Sequence, residues 1–245
     1  IPLLAFMLSA TAAFIYGTDK NNNRLLFLSG ALAGIAMLIK YSGLMLIPIM
    51  LIYSLLFSKK RSWLFLVIPI FIVFIWFIFD KASYKDFSFI RALLLRIEIW
   101  SKDTILKRSF AGLSFISGAS VSSLFLIPFL LRHKKNILLF ILSLPVGLCP
   151  FLFKRIFGGY SCLEKACLTL LFISSLFIIF IALKLFFASL PNKSTNSSRD
   201  RIFLSSWFIL LLAFNILAQF ISARFILLLF PPMFLLLLNE LGAQG

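Results

Sequence analysis

"GIAMLIKYSG", residues 34–43, decides how this chain is read, because it interrupts an apolar stretch that runs for 33 residues from Leu25 to Phe57 with a lysine, Lys40. A hydrocarbon core of about 30 Å is crossed by roughly 17 to 25 helical residues, so the run is too long for one span and suits two short ones. Lys40 then marks a turn at a membrane surface, and the chain on either side of it becomes a hairpin of helices.

The rest of the chain follows the same rhythm. Of its 245 residues 62% are hydrophobic and 13% charged, and its mean hydropathy is +1.07. Soluble domains carry about a quarter charged residues, so this composition describes an integral membrane protein. Thirty-one phenylalanines cluster with Leu and Ile in runs broken by short polar gaps. Nine candidate spans result: Ile1 to Tyr16, Leu25 to Ile39, Leu44 to Phe57, Trp63 to Phe79, Phe110 to Leu131, Ile137 to Phe153, Ala166 to Phe187, Ile202 to Ile221 and Phe225 to Leu238. The expected fold is all-α, a polytopic transmembrane bundle forming a single membrane domain over 1–245.

The net charge of +16 comes from 24 Lys and Arg that sit mostly between the greasy runs. Such placement reports topology and anionic lipid contacts rather than a nucleic-acid groove. If the first helix runs inward, the short cytoplasmic connectors "GTDKNNNR", "SKKRS", "RHKK" and "LPNKSTNSSRDR" carry 11 cations against 5 in the short connectors opposite. Positive charge favours the cytoplasmic side, which puts Lys40 and Arg224 on the outer face. It also keeps the N-x-S sequons at Asn192 and Asn196 on the cytoplasmic side.

One connector, 80–108, is far longer than the others. Within it Ile90, Leu93, Leu94, Ile97 and Trp100 recur at helical spacing while Arg91, Arg96 and Lys102 face elsewhere, the pattern of a short amphipathic helix lying in the interface. Its opening residues Asp80, Lys81 and Lys85 are candidate substrate contacts. Gly30 and Gly34 form a small-xxx-small pattern that admits a close helix neighbour. Pro231 and Pro232, expected inside the last span, would bend it. Glu164 and Lys165 read as an ordinary interfacial pair.

The chain has no Gly-rich phosphate loop, no Ser-His-Asp set, no CxxC and no HExxH, and its single histidine excludes His-rich metal sites. No cofactor can be read from it; a divalent metal is compatible with phosphate chemistry, but no ligand set for one is visible. Cations at the outer boundary are costly there unless they have a partner or water. A lysine and an arginine converging on that face would hold a lipid phosphate, arginine through paired hydrogen bonds and lysine as a point charge.

These residues carry a resemblance. "LSGALAGIAMLIKYSGLMLIPIMLIYSLL", residues 28–56, resembles the G-x-x-x-G-x-A-x-L-x-K-Y-x-G-L-x-L-x-P segment of bacterial multi-spanning glycosyltransferases of the C-type superfamily. "SARFILLLFPPMFLLL", residues 222–237, resembles their later A-R-Y-x-L-P-x-x-P segment, with Phe225 in place of tyrosine and Leu229 where proline is common. "IPLLAFMLSATAAFIYG" is similar to the helix that follows an outer-loop aspartate in these proteins. The branch in question holds protein O-mannosyltransferases, aminoarabinose transferases and lipopolysaccharide-core glycosyltransferases.

The resemblance implies a multi-pass enzyme of the bacterial inner membrane that moves a hexose or pentose from a polyprenyl-phosphate-linked donor to a lipid or protein acceptor on the outer face. It matches Lys40, Tyr41 and Arg224 to donor-phosphate binding. It places the catalytic base, a carboxylate, in a loop upstream of Ile1, so that this chain is expected to be a fragment without it. A lipid transporter or flippase and a polysaccharide polymerase or ligase are the alternatives. A flippase would carry ionisable residues deep within its helices, where this sequence holds almost none beyond Lys184, near a helix end.

Overall fold

The structure is a computed structural model that describes residues 2–57, 62–84, 127–132, 134–152, 159–191, 195–217 and 228–242. All regular structure among them is helical. Three helices are long and apolar enough to cross a membrane: Pro2–Asp19, the continuous stretch Ser62–Ser83, and Cys162–Ser189. Shorter apolar helices occupy Asn23–Ile39, Ser42–Phe57, Asn136–Pro145 and Phe230–Gly242. The described residues are therefore all helical in their regular structure, and the long apolar helices mark a membrane protein. The other expected spans fall on these shorter helices, on the charged-ended helix Asn196–Leu217, and on Phe110 to Leu131, most of which lies outside the described residues together with the whole of the predicted interfacial helix, so that three spans rather than nine meet the length and composition of a crossing among the described residues.

The chain divides into two compact units, Ile1–Trp100 and Ser101–Gly245. The first is built from α1 (Pro2–Asp19), α2 (Asn23–Ile39), a 3-10 turn (Tyr41–Met45), α3 (Leu46–Phe57), a second 3-10 turn (Ser62–Leu66) and α4 (Val67–Tyr84). The α1–α2 connection is tight. Asn21 takes φ 52°, a left-handed conformation that asparagine tolerates. Asn22 then caps α2, its Oδ1 accepting from the backbone of Arg24 at 3.0 Å and Leu25 at 3.4 Å. So short a link makes the two helices antiparallel neighbours, pinned by the buried Ser29 hydroxyl donating to the Ala10 carbonyl at 2.9 Å. At the same end as the Asn22 cap, the Tyr53 hydroxyl of α3 donates to Asp19 Oδ1 at 3.0 Å. The α1–α2 connection and the α3 residue Tyr53 thus sit at one end of the unit.

Gly30 and Gly34 form the seat for α4. A β-carbon on Gly30 would stand 3.0 Å from the Phe65 carbonyl oxygen and the Ile68 Cβ, and one on Gly34 would stand 2.5 Å from Ile72 Cδ1. The glycines let the backbones approach where any side chain would hold them apart. The opposite side of α4, with Phe71, Phe74, Ile75, Ile78 and Phe79, is exposed within this unit and suits hydrocarbon.

The second unit contains α5 (Lys134–Gly147), α6 (Cys149–Leu152), α7 (Cys162–Ser189), α8 (Asn196–Leu217) and α9 (Phe230–Gly242). A capping box starts α7: the Ser161 amide donates to Glu164 Oε2 at 2.7 Å, and the Glu164 amide donates to the Ser161 hydroxyl at 3.3 Å. Glu164 is thus a helix-start device rather than half of the interfacial pair expected with Lys165. Phe172, Phe177, Ile181 and Leu185 of α7 are buried in the core, with Phe140 of α5 edge-on to Phe177 at 5.5 Å. The described helix α9 starts at Phe230, so Pro231 and Pro232 occupy its first turn rather than a mid-span bend. There the missing N–H groups have no intrahelical partner to lose.

One end of this unit is held by polar side chains. Lys184 Nζ donates to Asn136 Oδ1 at 2.8 Å and to Glu240 Oε1 at 2.5 Å. The Asn136 amide donates to the Leu130 carbonyl at 2.9 Å and to Glu240 Oε1 at 3.4 Å. Beside them Arg201 Nε donates to Asn239 Oδ1 at 3.1 Å. Asn136 is wholly buried and Glu240 is 6% exposed. The start of α5, the end of α7, the start of α8 and the end of α9 therefore share one end, which makes α7 and α8 run in opposite directions.

Candidate functional site

The other end of the first unit carries Lys40. Its backbone is extended, φ −162° and ψ 143°, and breaks the helix cleanly. Its amide still donates to the Ala36 carbonyl at 3.2 Å, while its own carbonyl accepts from Gly43 at 2.8 Å. The chain then doubles back so closely that a β-carbon on Gly43 would stand 2.6 Å from both the carbonyl carbon and oxygen of Ala36, and 2.7 Å from the Met37 nitrogen. All three are backbone atoms and none can swing aside. Glycine at this position is what lets the K-Y-x-G segment fold over the end of α2 and leave the lysine at its apex, where Lys40 is exposed.

Within this turn Ser42 is 1% exposed and its hydroxyl has no hydrogen-bond partner. A buried hydroxyl left unmet costs roughly 1–3 kcal/mol, which a ligand oxygen reaching it would offset. Sequence reading passed over Ser42; its place inside a turn that a glycine forces shut was the available signal. Tyr41 opens the 3-10 turn directly after Lys40.

Asp80 and Lys81, expected to open a loop, instead lie in the last turn and a half of α4, which continues to Tyr84. Lys81 is exposed, whereas Asp80 is buried, 4% exposed. Lys40, Asp80 and Lys81 all have interaction partners within the structure. Lys85 and Arg224, the latter expected opposite Lys40, lie outside the described residues. Among the described residues no three His, Cys, Asp or Glu side chains converge as a metal set would.

The site can offer an anionic group one exposed ammonium and one buried hydroxyl at the end of a helical hairpin. Both groups can donate to an anionic oxygen.

Comparison with known families bears on this same region. Residues 1–79, which include α1, α2, the Lys40 turn, α3 and nearly all of α4's apolar length, match the family of dolichyl-phosphate-mannose-protein mannosyltransferases. No curated protein and no solved structure matches the chain at a significant level. The family match and the apolar helices together support a membrane protein of the glycosyltransferase kind.

Proposed function

We propose that this chain belongs to a multi-pass glycosyltransferase of the bacterial inner membrane. It would transfer a hexose or pentose from a polyprenyl-phosphate-linked donor to a lipid or protein acceptor on the extracytoplasmic face. The observation that carries this reading is the Lys40 turn: a cation exposed at the end of a glycine-locked hairpin, inside the segment that matches a family named for a lipid-phosphate sugar donor.

In the reaction, an acceptor hydroxyl oxygen forms a bond to the anomeric carbon as the bond from that carbon to the phosphate oxygen breaks. The electron pair leaves with the lipid phosphate, and the acceptor's proton passes to a general base. Lys40 acts on the leaving group. Charge grows on the phosphate as the bond breaks, and an ammonium fixed beside it stabilises the transition state more than the ground state. The Ser42 hydroxyl supplies a donor to a second phosphate oxygen, and the sequence resemblance assigns Arg224, which lies outside the described residues, to the same donor phosphate.

The test is transfer from a radiolabelled polyprenyl-phosphate sugar by the full-length protein in proteoliposomes. Lys40→Ala lowers kcat/KM by about a hundredfold, the scale of losing one transition-state charge contact. Unchanged transfer in this variant removes the phosphate role. Movement of the labelled lipid between leaflets without any product would replace the transferase with a flippase.

A further inference from the structure

We propose that the exposed face of α5 binds one anionic glycerophospholipid, with Arg132 and Lys134 on its headgroup and Leu138, Ile141 and Leu142 along an acyl chain. This site does not depend on the transferase reading. The polar end of the second unit fixes its depth. Helix α7 is long and apolar enough to cross a membrane, and Lys184, five residues before its last residue Ser189, donates to Asn136 of α5 at 2.8 Å. The start of α5 thus stands level with the end of a crossing helix, at the boundary between hydrocarbon and headgroups. Lys134 precedes Asn136 by two residues and opens the helix.

Helical spacing puts Lys134, Leu138, Ile141 and Leu142 on one face of α5 and Asn136 and Ser143 on the opposite one. Burial divides the helix in the same way. Lys134 is exposed, Leu138, Ile141 and Leu142 are 60%, 53% and 53% exposed, and Asn136 and Ser143 are wholly buried. The cation therefore heads an apolar stripe. Leu142 lies about 12 Å along the helix from Lys134, within the roughly 15 Å of hydrocarbon that one leaflet offers. Arg132 is brought to the same place by two hydrogen bonds. The Asn136 side chain donates to the Leu130 carbonyl at 2.9 Å, closing the chain between them, and the Arg132 amide donates to the Phe129 carbonyl at 3.3 Å. Arg132 is exposed, and its Cα is at most about 7 Å from that of Lys134, within reach of a single headgroup.

Positive charge prevails at this end. Among the described residues Arg132, Lys134, Lys184, Arg199 and Arg201 stand there against the carboxylates of Asp200 and Glu240. Glu240 is held by Lys184 and Asn136, and Asp200 lies between Arg199 and Arg201 in the chain. Neither α5 nor α8 has an acidic residue in its first turn. The sequence adds the basic residues His133, Lys135 and Lys193, whose side chains lie outside the described residues. A phospholipid answers both features of α5 at once. Its acyl chain covers the stripe, and its phosphate meets two cations, arginine through paired hydrogen bonds and lysine as a point charge. A zwitterionic lipid would cover the stripe equally well but bring its own cation against Arg132 and Lys134, so the site selects for net negative charge.

The test uses the full chain in phosphatidylcholine vesicles that contain a trace of phosphatidylglycerol bearing a diazirine midway along one acyl chain. Phosphatidylcholine with the same chain is the reference, and irradiation followed by peptide mass spectrometry locates the adducts. Phosphatidylglycerol should label residues 137–145 in preference to the reference lipid. Lys134→Gln lowers that preference about fivefold and Arg132→Gln with Lys134→Gln about 25-fold, the scale of one and two cations near an anionic surface, while Lys134→Arg keeps it. On the unaltered chain, raising the salt from about 0.01 M to about 1 M shortens the screening length from roughly 30 Å to 3 Å and should also lower the preference. Equal labelling by the two lipids, selective adducts confined to other helices, or a preference untouched by the double variant overturns the proposal. A preference that salt does not reduce overturns it as well, and that arm decides if the double variant fails to fold.

Discussion

Lys184→Met should destabilise the second unit by about 2–3 kcal/mol, and the structure says why the number falls there. Removing one member of a buried ion pair costs about 3–5 kcal/mol, because the remaining charge is left in a poor environment without its partner. Here the orphan is Glu240, 6% exposed, whose other contact is the Asn136 amide at a long 3.4 Å. The Lys184 side chain keeps 25% of its surface, so water already supports part of its charge and can reach some of the gap it leaves. The loss therefore drops below the fully buried range. Unfolding by sodium dodecyl sulfate in mixed micelles, followed by circular dichroism or intrinsic fluorescence, measures it as a shift in midpoint. Lys184→Met with Glu240→Leu removes both charges and should recover most of the loss, since apolar pairs of similar volume often replace buried ion pairs at little cost. A single variant as stable as the wild type, or a double variant no better than the single, would show that the charges do not hold this end together.

Three smaller perturbations test the first unit. Gly43→Ala drives a methyl against backbone atoms at 2.6 Å and should cost about 2–3 kcal/mol by thermal melting, with transfer activity falling because the Lys40 turn cannot close. Gly34→Leu, at a position 2.5 Å from Ile72 before any side chain beyond Cβ is counted, should separate α2 from α4; a cysteine pair placed across Gly30 and Ile68 would then no longer crosslink. Ser29→Ala loses a single buried hydroxyl bond to the Ala10 carbonyl and should lower stability by only about 1 kcal/mol, visible as a small shift in the same melting curve.

Much of the first unit is readable from sequence because its signals are local. A run too long for one span, a lysine within it and two glycines four apart are enough to predict a hairpin with a close neighbour, and the structure supplies α4 as that neighbour. The end of α4 near Asp80 was misplaced because charge suggests loop, whereas Asp80 is buried and the helix runs on through it to Tyr84. The polar end of the second unit was out of reach for a related reason. Lys184 stood out as an ionisable residue, but its partners are 48 and 56 residues away, and no periodicity connects Asn136, Lys184 and Glu240. Ser42 was missed since a serine in a loop carries no sign of being buried until Gly43 is seen to press the turn shut.

The polar end of the second unit also imposes an order of events during synthesis. Asn136 and Lys184 enter the membrane region first, and Glu240, which completes their bonding, is 56 residues behind the lysine. At about 5–20 residues per second, that delay is roughly 3–11 s. For that interval the cationic end of α7 must be sheltered by water, lipid headgroups or the insertion machinery. Arrival of α9 is then less an addition to the unit than the step that closes its polar end, and chains that stall before it should be the ones the cell's proteases find.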